Sequence, residues 1–229
     1  MTNNRSIKDA LYEQVARIAK AAASPKRLEL LELLCQSPKT VEVLAREADI
    51  SVKLASAHLK ELKASRLVEN ERQGKYVIYR VASDDVARFW VSIRLLAEDR
   101  LVELQDAVRQ MSQATHEWVG NNREELLAKA KSGAVIVIDV RPDPEYAAGH
   151  LPFARSIPLS ELRDRLSELP KDRPVIAYCR GPFCLMSTDA VTLLRSQGFE
   201  AMQLRDGVAE WNFAMLASTV DYRFGIQID

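Results

Sequence analysis

At 229 residues and 47% apolar content the chain can bury two modest cores, and no apolar run reaches the length needed to cross a bilayer. Lys plus Arg and Asp plus Glu balance at 32 each, which excludes a global field toward nucleic acid or anionic lipid and leaves only local patches. Three cysteines at irregular spacing exclude a secreted disulfide framework, and the polar start MTNNRSIKDA lacks a signal-peptide core, so the expected address is a reducing cytoplasm.

From Leu11 to about Trp118 the pattern reads as helical with one exception. LYEQVARIAKAAA carries apolar residues at helical spacing, and Ser24-Pro25 reads as a cap followed by a first-turn proline. KRLELLELLCQ continues until Ser37-Pro38; Thr40 opens a third helix, and Ser51 caps a fourth, SVKLASAHLKELKASRL. LVENERQGKYVIYRV is the exception, two alternating runs around Arg72-Gln73-Gly74-Lys75, which predicts a hairpin with glycine at its tip. Ser83 with Asp84 and Asp85 then starts a helix that no Gly or Pro interrupts before Gly120. Its apolar stripe of Trp90, Ile93, Ala97, Leu101, Leu104, Val108 and Met111 is too long for a small domain to cover, so a partner copy of the helix is its expected mate.

Beyond Gly120-Asn121-Asn122 the rhythm changes. REELLAKAKSG reads as a helix, AVIVIDV and PVIAYC as buried strands, STDAVTLLRSQGF as a helix, EAMQL as a strand and DGVAEWNFAM as a closing helix. Strands alternating with helices predict a mainly parallel sheet covered on both faces. The expected division is 1–117, a linker at 118–123, and 124–229.

In the first half, Thr40–Ala48 and Ser51–Lys63 joined by a tight turn and followed by a basic-tipped hairpin predict a winged helix-turn-helix. Lys53, Ser56, Ala57 and Lys60 are expected on the groove-facing side of the second helix, with Leu54, Leu59 and Leu62 facing inward. Arg72 and Lys75 at the wing tip, with Arg66, are candidates to neutralise flanking phosphates of a double-stranded operator. Any one of these lysines alone reads as a solvated charge; the joint layout carries the expectation.

The stretch ISVKLASAHLKELKASRLVENERQGKYVIYRV resembles the arsenical-repressor (ArsR-type) family of dimeric winged-helix repressors, and the likeness runs from about Ser24 to Met111. That resemblance implies a homodimer with a long dimerisation helix on double-stranded DNA. Ser56-Ala57-His58-Leu59-Lys60 matches the family's recognition-helix pattern, so His58 reads as a packing or phosphate-contacting residue rather than a ligand. Metal-sensing relatives carry ligand sets that this chain lacks: TVEVLAREADI has no cysteine pair, the long helix has no histidine until His116, and Cys35 stands alone. No metal site and no cofactor is expected.

In the second half, Cys179 and Cys184 lie five positions apart in AYCRGPFCLM, which leaves a zinc ligand pair, a disulfide, or a nucleophile with a companion thiol. Cys179 ends a strand just before a helix, where loop amides and the positive helix end stabilise an anion and raise the thiolate fraction. Zinc lacks further thiols or imidazoles nearby to complete its shell.

VIVIDVRPDPEYAAGHLPFARSIPL, YCRGPFC and LRDGVAEW resemble, in order, the entry motif, active-site loop and closing motif of the rhodanese (sulfurtransferase) family, over about residues 123–215. The resemblance implies an α/β rhodanese domain in which Cys179 is the nucleophile, taking a sulfane sulfur from thiosulfate or a persulfide, with Arg180 beside it. Asp139, Arg141, Glu145 and His150 read as scaffold, and Gly207 and Trp211 carry the closing motif. Phe153 and Asp206 depart from the family pattern, Phe153 with a consequence for access to the loop. Leu185 stands where a phosphatase of this fold needs an arginine, which argues against phosphatase activity. Cys184 is either a small filler or a resolving thiol that forms a disulfide or polysulfide bridge with Cys179. The expected function is therefore a DNA-binding regulator responding to reactive sulfur; the alternative is a sulfurtransferase whose DNA binding ignores sulfur state.

Overall fold

The computed structural model describes residues 2–112 and 123–217, and the chain divides into two compact units, Met1–Trp90 and Val91–Asp229. His116 and nearly all of the expected linker at 118–123 lie outside the described residues.

The first unit opens with α1 (Thr2–Ala22) and α2 (Pro25–Gln36), the latter starting with Pro25 after an extended Ser24. A two-residue strand, β1 (Lys39–Thr40), leads into α3 (Val41–Glu47), whose N-cap Thr40 accepts a hydrogen bond from the Val43 amide at 3.4 Å. Ser51 caps α4 (Val52–Ala64) in the same way, accepting from the Leu54 amide at 3.2 Å. Strands β2 (Val68–Gln73) and β3 (Tyr76–Val81) pair antiparallel around Gly74-Lys75, and β1 adds to the other edge of β3, giving the order β1-β3-β2. The turn is tighter than the sequence pattern suggests, because Arg72 and Gln73 belong to the strand; Gly74 alone takes the left-handed conformation, with φ at +59°. Leu30, Leu31, Leu44, Leu59 and Leu62 are fully buried in one cluster with Val68 and Tyr79 of the wing, each leucine contributing about 1.5–3 kcal/mol of burial.

Helix α5 (Asp84–Arg100) begins in the first unit and ends in the second, where α6 (Val102–Ser112) follows. The single uninterrupted helix expected from Ser83 onward is therefore broken at Leu101, although no Gly or Pro stands there. The cause is Gln105, whose side-chain amide donates to the carbonyls of Glu98 at 2.7 Å and Asp99 at 3.4 Å, taking the place of main-chain donors one turn on. Trp90 and Val108 of the expected stripe are buried within the chain, whereas Leu95, Leu96, Leu101 and Val102 are exposed.

The second unit continues through α7 (Arg123–Ser132), β4 (Ile136–Asp139), α8 (Asp143–Ala148), β5 (Arg155–Ser156) and α9 (Leu159–Leu162). After a 3-10 turn at Leu166–Glu168 come β6 (Val175–Tyr178), α10 (Met186–Ser196), β7 (Ala201–Gln203) and α11 (Val208–Ala217). The four strands are parallel in the order β5-β4-β6-β7. Alternation along them divides the core in two. Ile136, Ile138, Val175, Ala177 and Cys179 pack with Val191 and Leu194 of α10, while Val137, Ile176 and Tyr178 pack with Leu126 of α7 and Trp211 of α11. Among the described residues no helix is long and apolar enough to cross a membrane.

Candidate functional site

Cys179 follows β6 directly and continues the face of Val175 and Ala177, so the pleat aims its side chain at α10. Its Sγ lies 3.1 Å from Ser187 Oγ, in the first turn of α10, and as a thiol it donates to the Cys184 carbonyl at 3.4 Å. The residue is 98% shielded, having a relative exposure of 2%. Burial pushes the thiol up, but hydrogen bonds from the Cys184 side chain, the Ser187 hydroxyl and the Ser187 and Gly181 amides outweigh it and bring it down to about 7. Cys184 moves the opposite way: the hydrogen bond it gives to Cys179, and then burial, hold its own thiol well above the ordinary range. One thiol is thus poised to ionise and its neighbour to stay protonated and donate.

Backbone geometry sets this loop. Gly181 has φ at +141°, and a Cβ on it would stand 3.1 Å from a carboxylate oxygen of Glu210. Gly207, just before α11, sits against the main chain of Cys179 and Arg180 with no room for any side chain. Glu210 accepts from the Gly207 amide at 2.9 Å and from Arg94 of α5 at 3.2 Å. Burial pushes its carboxyl up, and Arg94 is the main opposing influence. Arg94 is itself buried, pairs with Glu98, and lies over the Phe183 ring of the loop at 5.8 Å.

Arg180 is engaged on the other side. Its guanidinium forms a forked pair with the fully buried Glu145 of α8, at 2.5–3.0 Å. The entry motif builds a second buried network. Arg141 pairs with Asp139 at 2.6 Å and reaches the Gly149 carbonyl at 2.7 Å, while Tyr178 donates to Asp139 at 2.6 Å and accepts from the Leu151 amide at 3.1 Å. Tyr178 thereby pins the end of β6 immediately before the cysteine. His150 is exposed and stacks on Tyr146 with ring centroids 3.9 Å apart. Asp206 pairs with Arg123 at 2.6 Å, and Phe153 is 54% exposed at a φ of +66°.

On the first unit, Lys53, Ala57 and Lys60 are exposed along α4 with Ser56 half-buried between them. Leu54, expected to face inward, is instead 43% exposed, and Ala55 takes the buried position with Leu59 and Leu62. The i, i+4, i+7 spacing of 55, 59 and 62 is the helical face; position 54 falls one residue off it. Arg66, Arg72 and Lys75 are exposed on the wing side, Arg72 donating to the Gly74 carbonyl at 3.1 Å and Lys75 lying over Tyr76 at 5.1 Å. His58 and Cys35 are half-buried. Among the described residues no cluster of three or more His, Cys, Asp or Glu stands close enough to hold a metal ion.

Four residues at the Cys179 loop escaped sequence reading: Ser187, Gln203, Glu210 and Arg94. Ser187 was within reach of it, as a hydroxyl in the first turn of the helix that follows the cysteine. The others meet the loop only through tertiary packing.

The description "Bacterial regulatory protein, arsR family" matches residues 24–70, and "Rhodanese-like domain" matches residues 122–214. The chain is 41% identical over 216 residues to the HTH-type transcriptional regulator Rv0324 of Mycobacterium tuberculosis, covering 94% of this chain and 95% of that protein. A sulfurtransferase of Allochromatium vinosum is 37% identical over 78 residues, 34% of this chain and 71% of its own. The solution structure of the homodimeric winged helix-turn-helix domain of Mb0332 from Mycobacterium bovis is 41% identical, with a TM-score of 0.40, covering 42% of this chain and 89% of that one.

Proposed function

The chain belongs to the ArsR family of bacterial transcriptional regulators, in a form whose second half is a rhodanese-like domain, and from that premise we propose that it reads reactive sulfur at Cys179 and reports it through operator binding. The observation that carries this reading is the set of donors converging on Cys179 Sγ, which lower the thiol to about 7 although it is almost wholly buried.

The Cys179 thiolate attacks the outer sulfur of thiosulfate or of a persulfide; the donor's S–S bond breaks, sulfite or a thiolate leaves, and Cys179 carries the sulfur as a persulfide. Loop amides and the Ser187 hydroxyl hold the resulting anion, as donors do in an oxyanion hole. Arg180 keeps a positive charge beside the loop while anchored on Glu145. Cys184, protonated while it donates to Cys179, is the candidate resolving thiol: once it gives up that proton, its attack on the inner sulfur of the persulfide would release hydrosulfide, which carries the proton away, and leave a Cys179–Cys184 disulfide.

DNA is engaged by Lys53, Ser56, Ala57 and Lys60 of α4 and by Arg72 and Lys75 of the wing, all outward-facing or half-exposed. The protein acts as a homodimer, for which the exposed Leu95, Leu96, Leu101 and Val102 offer apolar surface. Residues 1–117 serve DNA and the dimer, and 124–229 serve sulfur chemistry. The test is the mass of the protein after thiosulfate or polysulfide, paired with a gel shift on the same sample. A gain of about 32 mass units at Cys179 with altered operator affinity is expected, and unchanged affinity in both wild type and Cys179→Ser overturns the sensor.

A second reading is a sulfurtransferase whose DNA binding ignores sulfur state, which the likeness to the Allochromatium vinosum sulfurtransferase favours. It expects robust turnover to a thiol or cyanide acceptor with constant operator affinity.

A further inference from the structure

Gln203 lies at the end of β7, in parallel register with Ala177 of β6, two residues before the cysteine. Its Nε2 donates to Ser187 Oγ at 2.9 Å, and its Oε1 accepts from Thr188 Oγ1 at 3.4 Å, which fixes the orientation of the amide. Ser187 is fully buried and Gln203 nearly so, so water does not compete for these partners. A hydroxyl has one proton and two lone pairs. With one lone pair taken by Gln203, the proton of Ser187 is free to turn to the sulfur 3.1 Å away, and once Cys179 has lost its own proton the hydroxyl is the donor of the two.

We propose that Gln203 is a positioning residue for Cys179, acting through Ser187: by donating to Ser187 Oγ it commits that hydroxyl as a donor to the Cys179 thiolate and to the persulfide formed on it. This rests on Cys179 being the sulfur nucleophile. No bond is made or broken by Gln203 or Ser187; they hold a proton against an anion that would otherwise be buried with fewer donors. The donation from the amide also polarises the hydroxyl, strengthening the bond it gives. The other titratable groups around the loop are Cys184, Glu210 of α11 beside Gly181, and the Arg180–Glu145 pair.

The experiment is the pH profile of iodoacetamide alkylation at Cys179 in the full chain, read by peptide mass, beside sulfur loading from thiosulfate. Wild type should show a midpoint near 7. Ser187→Ala should move it up by about one to two pH units, the worth of one hydrogen bond to a charged group, slowing alkylation at pH 7 about five- to fifty-fold. Gln203→Met should move it part of that way, the double variant should match Ser187→Ala alone, and Ser187→Thr should restore the wild-type profile. Should Gln203→Met fail to fold, Gln203→Glu serves: the introduced carboxylate accepts the hydroxyl proton and should raise the midpoint at least as far as Ser187→Ala. A wild-type midpoint in Gln203→Met or Gln203→Glu, or additive shifts in the double variant, overturns the relay while leaving the nucleophile in place. A wild-type protein that takes no sulfur and alkylates only in the ordinary thiol range overturns the nucleophile, and the relay with it.

Discussion

Gly207 approaches Arg180 so closely that a Cβ at 207 would stand 2.6 Å from the carbonyl carbon and oxygen of Arg180, and 2.9 Å from the Cys179 oxygen. These are backbone atoms of the Cys179 loop, so no side-chain rotation relieves the clash. Gly207→Ala should shift the loop away from the Ser187 and Gly181 donors, costing about 1–3 kcal/mol of stability as overpacking does. Sulfur loading at Cys179 should fall with it, out of proportion to any change in the amount of folded protein. Paired thermal melts and persulfide mass measurements check this; a variant that melts and loads like wild type would show the contact to be soft.

The Cys179 thiol gives a pH dependence with a definite sign. Its folded value, about 7, lies below the ordinary 9.0, so between these values the unfolded chain holds a proton that the folded protein has lost. Stability from this group is therefore fully present above pH 9, and is lost as pH falls through 7. Wild type should gain stability relative to Cys179→Ala as pH rises from 7 to 9 in chemical denaturation, and Cys184→Ala, which removes the first of the hydrogen bonds that lower Cys179, should show a smaller gain over Cys179→Ala. An offset between wild type and Cys179→Ala that stays flat over this range would contradict the lowered thiol.

Much of this architecture is local chemistry and was legible. Thr40 and Ser51 cap helices because their oxygens reach amides three residues on, and the Gly74 hairpin follows from alternation around a turn residue. Cys179 could be placed because the end of a parallel strand facing a helix start is a position that sequence order reveals. What stayed hidden depends on partners distant in the chain. The strand β1 exists only because β3 pairs with it, and the break at Leu101 is made by a glutamine amide rather than by Gly or Pro. Gln203 reaches Ser187 through strand register, and Arg94 reaches Glu210 across 116 positions of sequence. No spacing rule encodes either contact.

The buried pair of Arg94 and Glu210 should be strongly coupled. Arg94→Met leaves the Glu210 carboxylate buried without its cation, while Glu98 keeps Arg205 at 2.8 Å, so the loss falls on Glu210. The expected cost is about 3–5 kcal/mol, as for removing one partner of a buried pair. Burial already raises the Glu210 carboxyl, and losing Arg94 raises it further. The folded variant then keeps a proton that the unfolded chain gives up, so its deficit should be larger at pH 8 than at pH 5. Adding Glu210→Gln should recover part of the loss and flatten the pH dependence. Denaturant midpoints for wild type, Arg94→Met, Glu210→Gln alone and the double variant at both pH values decide it; additive costs would mean that the two side chains act independently.

Operator affinity should depend on salt in a way that sorts the outward-facing residues of α4 and the wing. Each phosphate-bound cation releases counterions when it binds, so removing one lowers the slope of log K against log salt by about 0.9. Arg72→Ala and Lys75→Ala, at the exposed tip of the wing, should each flatten the slope by that amount and weaken all sequences alike. Ala57 on α4 is too small to reach far, so its enlargement to Leu should block close approach of the helix and abolish discrimination while leaving the slope almost intact. Lys53 and Lys60 separate by the same measure: a change in slope alone marks a phosphate contact, and altered sequence preference marks a base edge. Titrations of operator and scrambled DNA at several salt concentrations distinguish these outcomes, and a slope unmoved by all four basic substitutions would place the nucleic-acid surface elsewhere on the chain.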